Sequence, residues 1–201
     1  LAFGGLAHAT DGAVAPVRER FQAAGCARLR FRPSLSLRLS GGLERNGHPG
    51  LRATIRGAAR EARIESAGFA LPPGELLDFR HLRGLCARGV PAASCSASSR
   101  VGHIRLRTPL LDQPLRGPIH LRAPTRGLPE FVAEVRGGGV RLVLRGRAAA
   151  PAGRLRITLT DLPDLPLTEA VIALDGGRNG LLANSEALCG SSRRAGALLV
   201  A

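Results

Sequence analysis

Apolar and polar residues alternate with a period of two along much of the chain. The pattern is plain in Arg28-Leu29-Arg30-Phe31-Arg32, in Ile104-Arg105-Leu106-Arg107 and in Arg154-Leu155-Arg156-Ile157. Alternation of this kind puts successive side chains on opposite faces of a strand, one face apolar and one charged. Ten strands are predicted, over 28–39, 51–57, 62–70, 101–107, 117–122, 131–136, 140–146, 154–160, 169–175 and 195–200. Breakers separate them: Ser40-Gly41-Gly42, Asn46-Gly47-His48-Pro49-Gly50, Gly137-Gly138-Gly139 and Asp175-Gly176-Gly177. Gly137-Gly138-Gly139 reads as a tight hairpin, because glycine supplies positive φ freely. Ten short strands with regular turn signals predict an all-β fold, an antiparallel β-sandwich of jelly-roll or immunoglobulin-like type. One stretch departs from the alternation. Leu76, Leu77, Phe79 and Leu82 follow Pro72-Pro73 at helical spacing, which predicts a short helix or helical turn near residues 73–83. Leu76, Leu77 and Phe79 are expected to plug one end of the sandwich.

The first 25 residues are Ala/Gly-rich, with weak helical periodicity at Val17, Phe21 and Ala24. They lack the basic and apolar regions of a signal peptide. Residues 1–25 are therefore expected to be a linker or the tail of a preceding module, and 26–201 one continuous domain, so that the sequence reads as a piece of a longer protein. No run of about 18 apolar residues occurs, so no membrane-spanning helix is expected.

Charge changes the picture. The formal net charge is +14, from 29 basic and 15 acidic residues, and every basic residue is arginine. Absence of Lys, Met, Tyr and Trp beside abundant Arg, Ala, Gly and Pro fits a GC-rich coding bias. Whatever its origin, such a surface attracts polyanions at low salt. Specific recognition of single-stranded nucleic acid stacks bases on aromatic platforms, and six Phe in mostly apolar contexts leave little for that. The candidate polyanion contacts are Arg28, Arg30, Arg32, Arg105, Arg107, Arg154 and Arg156; the alternative reading is of solvated strand faces.

Four cysteines, Cys26, Cys86, Cys95 and Cys189, allow three disulfide pairings. Cys86–Cys95 across a short loop, with Cys26–Cys189 joining the first strand region to the last, is the pairing favoured. Two disulfides imply an oxidising, extracytoplasmic compartment. His81, Cys86, Cys95 and His103 form the rival zinc set, but their spacing departs from that of common structural zinc sites.

Catalytic signals are sparse. No G-x-S-x-G elbow, P-loop or dinucleotide-binding fingerprint is present. Ser96, Ser98 and Ser99 near His103 could supply a Ser–His dyad, and Asp161 and Asp164 could act as a carboxylate pair or hold calcium. Ser-rich loops are commoner than dyads, and the prolines of Asp161-Leu162-Pro163-Asp164-Leu165-Pro166 suit a rigid extended connection. No catalytic, cofactor or metal residue is assigned.

Several segments, in order, carry a resemblance. They are Cys26-Ala27 with Phe31-Arg32-Pro33-Ser34; Phe69-Ala70-Leu71-Pro72-Pro73-Gly74-Glu75-Leu76-Leu77; Leu85-Cys86 with Cys95-Ser96-Ala97-Ser98-Ser99-Arg100-Val101-Gly102; Leu115-Arg116-Gly117-Pro118-Ile119-His120-Leu121; Leu159-Thr160-Asp161-Leu162-Pro163-Asp164-Leu165-Pro166; and Leu181-Leu182-Ala183-Asn184 with Cys189-Gly190. Over about residues 24–201 the chain resembles the repeated extracellular β-domain of large, uncharacterised secreted proteins from high-GC actinobacteria. The resemblance implies secretion and a tandem array with neighbouring modules of the same chain, and brings no catalytic residues. His120 stands where the pattern has Tyr, and aromatics are thinned. Asn184 is expected to turn the chain before the last cysteine. The resulting expectation is a non-enzymatic secreted or cell-surface β-sandwich module, structural or adhesive. The alternative is a binding module for acidic polymers, polysaccharide or extracellular DNA, acting through arginine-rich strand faces. A hydrolase using the 81–103 region is the third reading.

Overall fold

The computed structural model describes residues 2–20, 25, 28–160, 162–190 and 194–201. They belong to two compact units, Leu1–Arg30 and Phe31–Ala201. In the first, β1 (Ala2–His8) and β2 (Val14–Arg20) form an antiparallel hairpin in register from Ala2↔Arg20 to His8↔Val14. The stretch expected to be a linker or the tail of a preceding module carries paired strands, and the unit boundary falls between Arg30 and Phe31.

The second unit is all-β. In chain order its strands are β3 (Ser34–Ser40), β4 (Gly50–Arg56), β5 (Ser66–Ala70), β6 (Glu75–Leu77), β7 (Arg100–Arg107), β8 (Leu115–Arg122), β9 (Glu130–Gly137), β10 (Val140–Ala149), β11 (Arg156–Thr160), β12 (Glu169–Leu174), β13 (Leu182–Asn184) and β14 (Gly196–Val200). Ten of them form one antiparallel sheet in the order β14-β5-β11-β10-β9-β8-β7-β12-β4-β3; β6 and β13 pair separately. A single sheet, nearly closed into a barrel, takes the place of the expected two-sheet sandwich. The two edge strands line one shared apolar groove, with Leu35, Leu37 and Leu39 of β3 opposite Gly196 and Ala197 of β14.

Glycines and a bulge explain the curl. A Cβ at Gly102 would lie 2.0 Å from the Ala173 carbonyl oxygen, and one at Gly117 would lie 1.9 Å from that of Glu134. Only glycine allows strands to approach and bend this tightly on the inner face. The β7–β8 register shifts between Arg100 and Gly102, a bulge that adds twist. The inner face is filled by alternating apolar residues, among them Leu51, Phe69, Ile104, Leu115, Leu121, Phe131, Val135, Ile157 and Ile172. They leave an apolar cavity of about 40 Å³, roughly the room of one water molecule and far below that of a small-molecule site. Functional surface must therefore be sought outside this cavity.

The β9–β10 hairpin turns at Gly138 and Gly139, with φ of 53° and 75°, as the glycine triplet requires. Of the short helix or helical turn expected near 73–83, only a single 3-10 turn forms. Gly74, at φ 98°, leads into β6, and Asp78 caps a lone 3-10 turn, Phe79–His81, by accepting the Arg80 N–H. Pairing of β6 with β13 claims the backbone that a helix would have used. Leu76 and Phe79 are 47% and 45% exposed, so they do not plug the fold; Leu77 and Leu82 pack against the core instead. Residues 28–33 do not extend β3. The β3–β4 ladder begins at Ser34↔Arg56, and Pro33 has no N–H to offer a partner.

Cys86 and Cys95 are disulfide-bonded, with Cα atoms 5.2 Å apart. Cys189 is exposed and makes no disulfide among the described residues; Cys26, its expected partner, lies outside them.

Candidate functional site

Strand register gathers arginine on the outer face of the sheet. Arg105 of β7 faces Arg116 of β8, Arg116 faces Arg136 of β9, and Arg136 faces Arg141 of β10. Four guanidinium groups thus stem from one row across four adjacent strands, each strand about 4.8 Å from the next. Around this row the outward positions of β3, β4, β7, β8 and β10 add Arg38, Arg52, Arg56, Arg107, Arg122, Arg145 and Arg147. Three carboxylates share the face: Glu130, Glu134 and Glu169.

The pairing on this face is uneven. Glu169 accepts from Arg105 Nη2 at 2.8 Å, with Arg56 and Arg107 at 3.8 and 4.0 Å. Glu134 accepts from Arg136 Nε at 2.6 Å. Arg52, Arg116, Arg141 and Arg145 make no ion pair among the described residues. Two surface hollows flank the row. One, of about 540 Å³, is rimmed by Arg52, His103, Arg105 and Arg116 over Val171 and Gly117. The other, of about 470 Å³, is bordered by Arg88, Arg122, Arg141 and Arg145, with Glu130 and Glu134. Val171 points outward yet is 4% exposed; the long arginine stems around the first hollow account for this.

The candidate arginines separate accordingly. Arg105 and Arg107 lie on this face. Arg28 and Arg30 belong to the first unit, and Arg32 precedes β3. Arg156 is exposed on β11, away from the row. Arg154 is committed to structure, donating from Nε to the Leu71 carbonyl at 2.8 Å and from Nη2 to that of Arg194 at 2.9 Å. The alternation in Val140–Arg147 was legible, but Arg52 joins Arg105 only because β12 lies between β4 and β7.

A second cluster forms where three loops meet. Asp78 is buried; its Oδ1 accepts from the Arg80 backbone N–H at 3.0 Å and from Arg80 Nε at 3.1 Å. Its Oδ2 accepts from Arg80 Nη2 at 3.2 Å and lies 3.1 Å from His48 Nε2. The Arg80 guanidinium first, and the His48 ring second, hold the Asp78 carboxyl well below the usual carboxylate range. His81 stacks on His48 with ring centroids 3.9 Å apart, and its Nδ1 lies 3.2 Å from the Gly180 carbonyl oxygen. The His48 loop is fitted closely: a Cβ at Gly47 would lie 2.3 Å from the Gly42 oxygen, and one at Gly180 would lie 2.8 Å from the His48 Cβ. Asn184 closes the arrangement. It does not turn the chain in a left-handed conformation; it is buried in β13, and its Nδ2 donates to the carbonyls of Gly42 at 2.7 Å and Glu44 at 3.0 Å. In the sequence, Asn46-Gly47-His48-Pro49-Gly50 signalled only a turn, and nothing local connects it to Asp78.

The rival zinc set does not assemble. The sulfurs of Cys86 and Cys95 are bonded to each other, and His103 is exposed on the outer face of β7. The Ser–His contact that forms is between Ser99 and His120, 2.9 Å apart and buried. Burial lowers the His120 pKa and so favours the neutral ring. Ser99 Oγ donates to the Ser96 carbonyl at 2.7 Å and thus accepts from His120 Nδ1, the reverse of nucleophile activation. Ser98 shares a hollow of about 60 Å³ with His81, Arg100 and Asp175, while its Oγ bonds that of Ser96 at 3.0 Å. Asp164 is exposed and pairs with Arg63 at 3.4 Å; Asp161 lies outside the described residues. No helix among the described residues is long and apolar enough to cross a membrane. No family model, curated protein or solved structure matches the chain.

Proposed function

We propose that this chain is a non-enzymatic, disulfide-stapled extracellular module that binds acidic polymers through the outer face of β4, β7, β8, β9 and β10. The observation that carries the proposal is the in-register row Arg105–Arg116–Arg136–Arg141. A face on which arginines far outnumber the three carboxylates attracts a chain of repeated negative charges, and exchange of bound counterions drives the association. The unpaired Arg52, Arg116 and Arg141 offer donors that form two parallel bonds to phosphate, sulfate or carboxylate. The Cys86–Cys95 bond supports an oxidising location. The resemblance to tandem secreted actinobacterial domains supports a place on a cell surface, where acidic polysaccharide or extracellular DNA would be the partner.

The test is binding of fluorescein-labelled dT20, used as a uniform polyanion, between 50 and 200 mM salt, with dextran sulfate as competitor. The triple variant Arg52→Gln, Arg116→Gln, Arg141→Gln should lose at least about tenfold in affinity. Its salt dependence should fall by roughly 0.7 in slope for each phosphate contact removed. The equally charged control Arg60→Gln, Arg126→Gln, Arg178→Gln should change affinity by less than about threefold. Equal losses in both triples would reduce the effect to net charge and defeat the proposal.

A further inference from the structure

We propose that His48, Asp78 and His81 form a binding site for a divalent transition ion of the zinc class, a role independent of the arginine face. One potential ligand atom from each residue lies within 4.8 Å of the others. Two imidazoles and one carboxylate form a donor set of borderline softness, which selects zinc, cobalt, nickel or copper over magnesium and calcium. Three protein ligands with an open fourth position are the pattern of an accessible zinc site.

The surrounding contacts match what such ligands need. His81 Nδ1, 3.2 Å from the Gly180 carbonyl, is placed as a donor, which leaves Nε2 with its lone pair. Asp78 Oδ1 is held by two Arg80 donors, while Oδ2 faces His48 Nε2 at 3.1 Å. An ion bound there replaces the His48 Nε2 proton, which moves to Nδ1 or to solvent. The two rings are now parallel within 9°, so their lone pairs do not converge until one ring turns about its Cβ–Cγ bond. His48 is the ring free to turn, since its one hydrogen bond among the described residues is to the carboxylate that would become its fellow ligand. The Arg80 guanidinium competes for the same oxygen at 3.2 Å, but its side chain is 91% exposed and can swing into water.

The experiment is calorimetric titration of tag-free, metal-stripped full chain with zinc chloride, alongside the cobalt(II) absorption spectrum. One equivalent of zinc should bind, magnesium should not, and the melting temperature should rise by roughly 5–10 °C at a hundredfold excess over the dissociation constant. His48→Gln and His81→Gln, each checked for unchanged far-UV circular dichroism, should each weaken binding about 100-fold or more. His103→Gln and Cys189→Ser should leave it unchanged. Arg80→Gln removes a competing cation from a solvent-exposed position and should tighten binding about fivefold. A merely structural stack of histidines would give no such gain. Absence of stoichiometric binding, or binding that survives both histidine variants, overturns the proposal. A thiolate-to-cobalt charge-transfer band in the wild type would place the ion on a cysteine and overturn it without recourse to any variant. Unchanged affinity in Asp78→Asn would overturn the assignment of Asp78 as a ligand.

Discussion

Removing the Cys86–Cys95 bond should destabilise the second unit by an amount that follows from its position. Cys86 is 3% exposed and strand-like: its N–H donates to the Leu121 carbonyl at 2.8 Å, and its own carbonyl accepts from Ala123 at 3.0 Å. The intervening loop folds over the outer side of the sheet, where Ala92, Val132 and Glu134 are buried. These contacts remain possible in the reduced protein, so the main loss is the restriction placed on the unfolded chain. For a sequence separation of 9, the loop-closure relation gives about 2.6 kcal/mol at 25 °C. In a chain of this length that is a fall of roughly 5–10 °C in melting temperature. The double variant Cys86→Ala, Cys95→Ala is preferable to serine, because a hydroxyl buried at position 86 would add a desolvation cost of its own. The chain has no Trp or Tyr, so unfolding is best followed by far-UV circular dichroism in heat and in urea. The double variant and the wild type with reductant should agree with each other and fall below the oxidised protein. A difference of less than about 2 °C between oxidised and reduced forms, with the bond verified by mass, would refute the reasoning.

The glycine at position 117 should be indispensable to the curl of the sheet. Gly117→Ala sets a methyl carbon 1.9 Å from a backbone oxygen and should cost about 1–3 kcal/mol or more, whereas Gly190→Ala, with nothing within 4 Å, should be neutral in the same thermal assay. His120 should make the fold acid-sensitive. Its pKa is lowered by burial first, with Arg100 adding repulsion, so below the unfolded value of about 6.5 the unfolded chain binds a proton that the native state refuses. Stability should therefore fall as pH drops below that value, by at most about 1.4 kcal/mol per pH unit, and level off below the folded value. His120→Gln should flatten that limb of a stability–pH profile between pH 7.5 and 5; an unchanged slope would assign the effect elsewhere.

Sequence alone located the ten strands that build the large sheet, because period-two alternation and short apolar runs bounded by turn residues are local properties. Gly138 and Gly139 were legible as a turn for the same local reason, and Cys86 and Cys95 as a pair because the loop between them is short. β6 and β13, three residues each, are too short to show a period, and the leucines of 76–82 imitate a helical spacing until β13 takes up the backbone of β6. Strand order was not legible. β12 enters between β4 and β7, and β5 between β11 and β14, through long-range hydrogen bonds that no spacing encodes. That order decides what the surface presents. It turns arginines from separate alternating stretches into one row across β7, β8, β9 and β10. It also brings His48 to Asp78, thirty residues away, and stacks His81 upon it. Alternation fixes which way each side chain points; which side chains become neighbours depends on how the sheet closes.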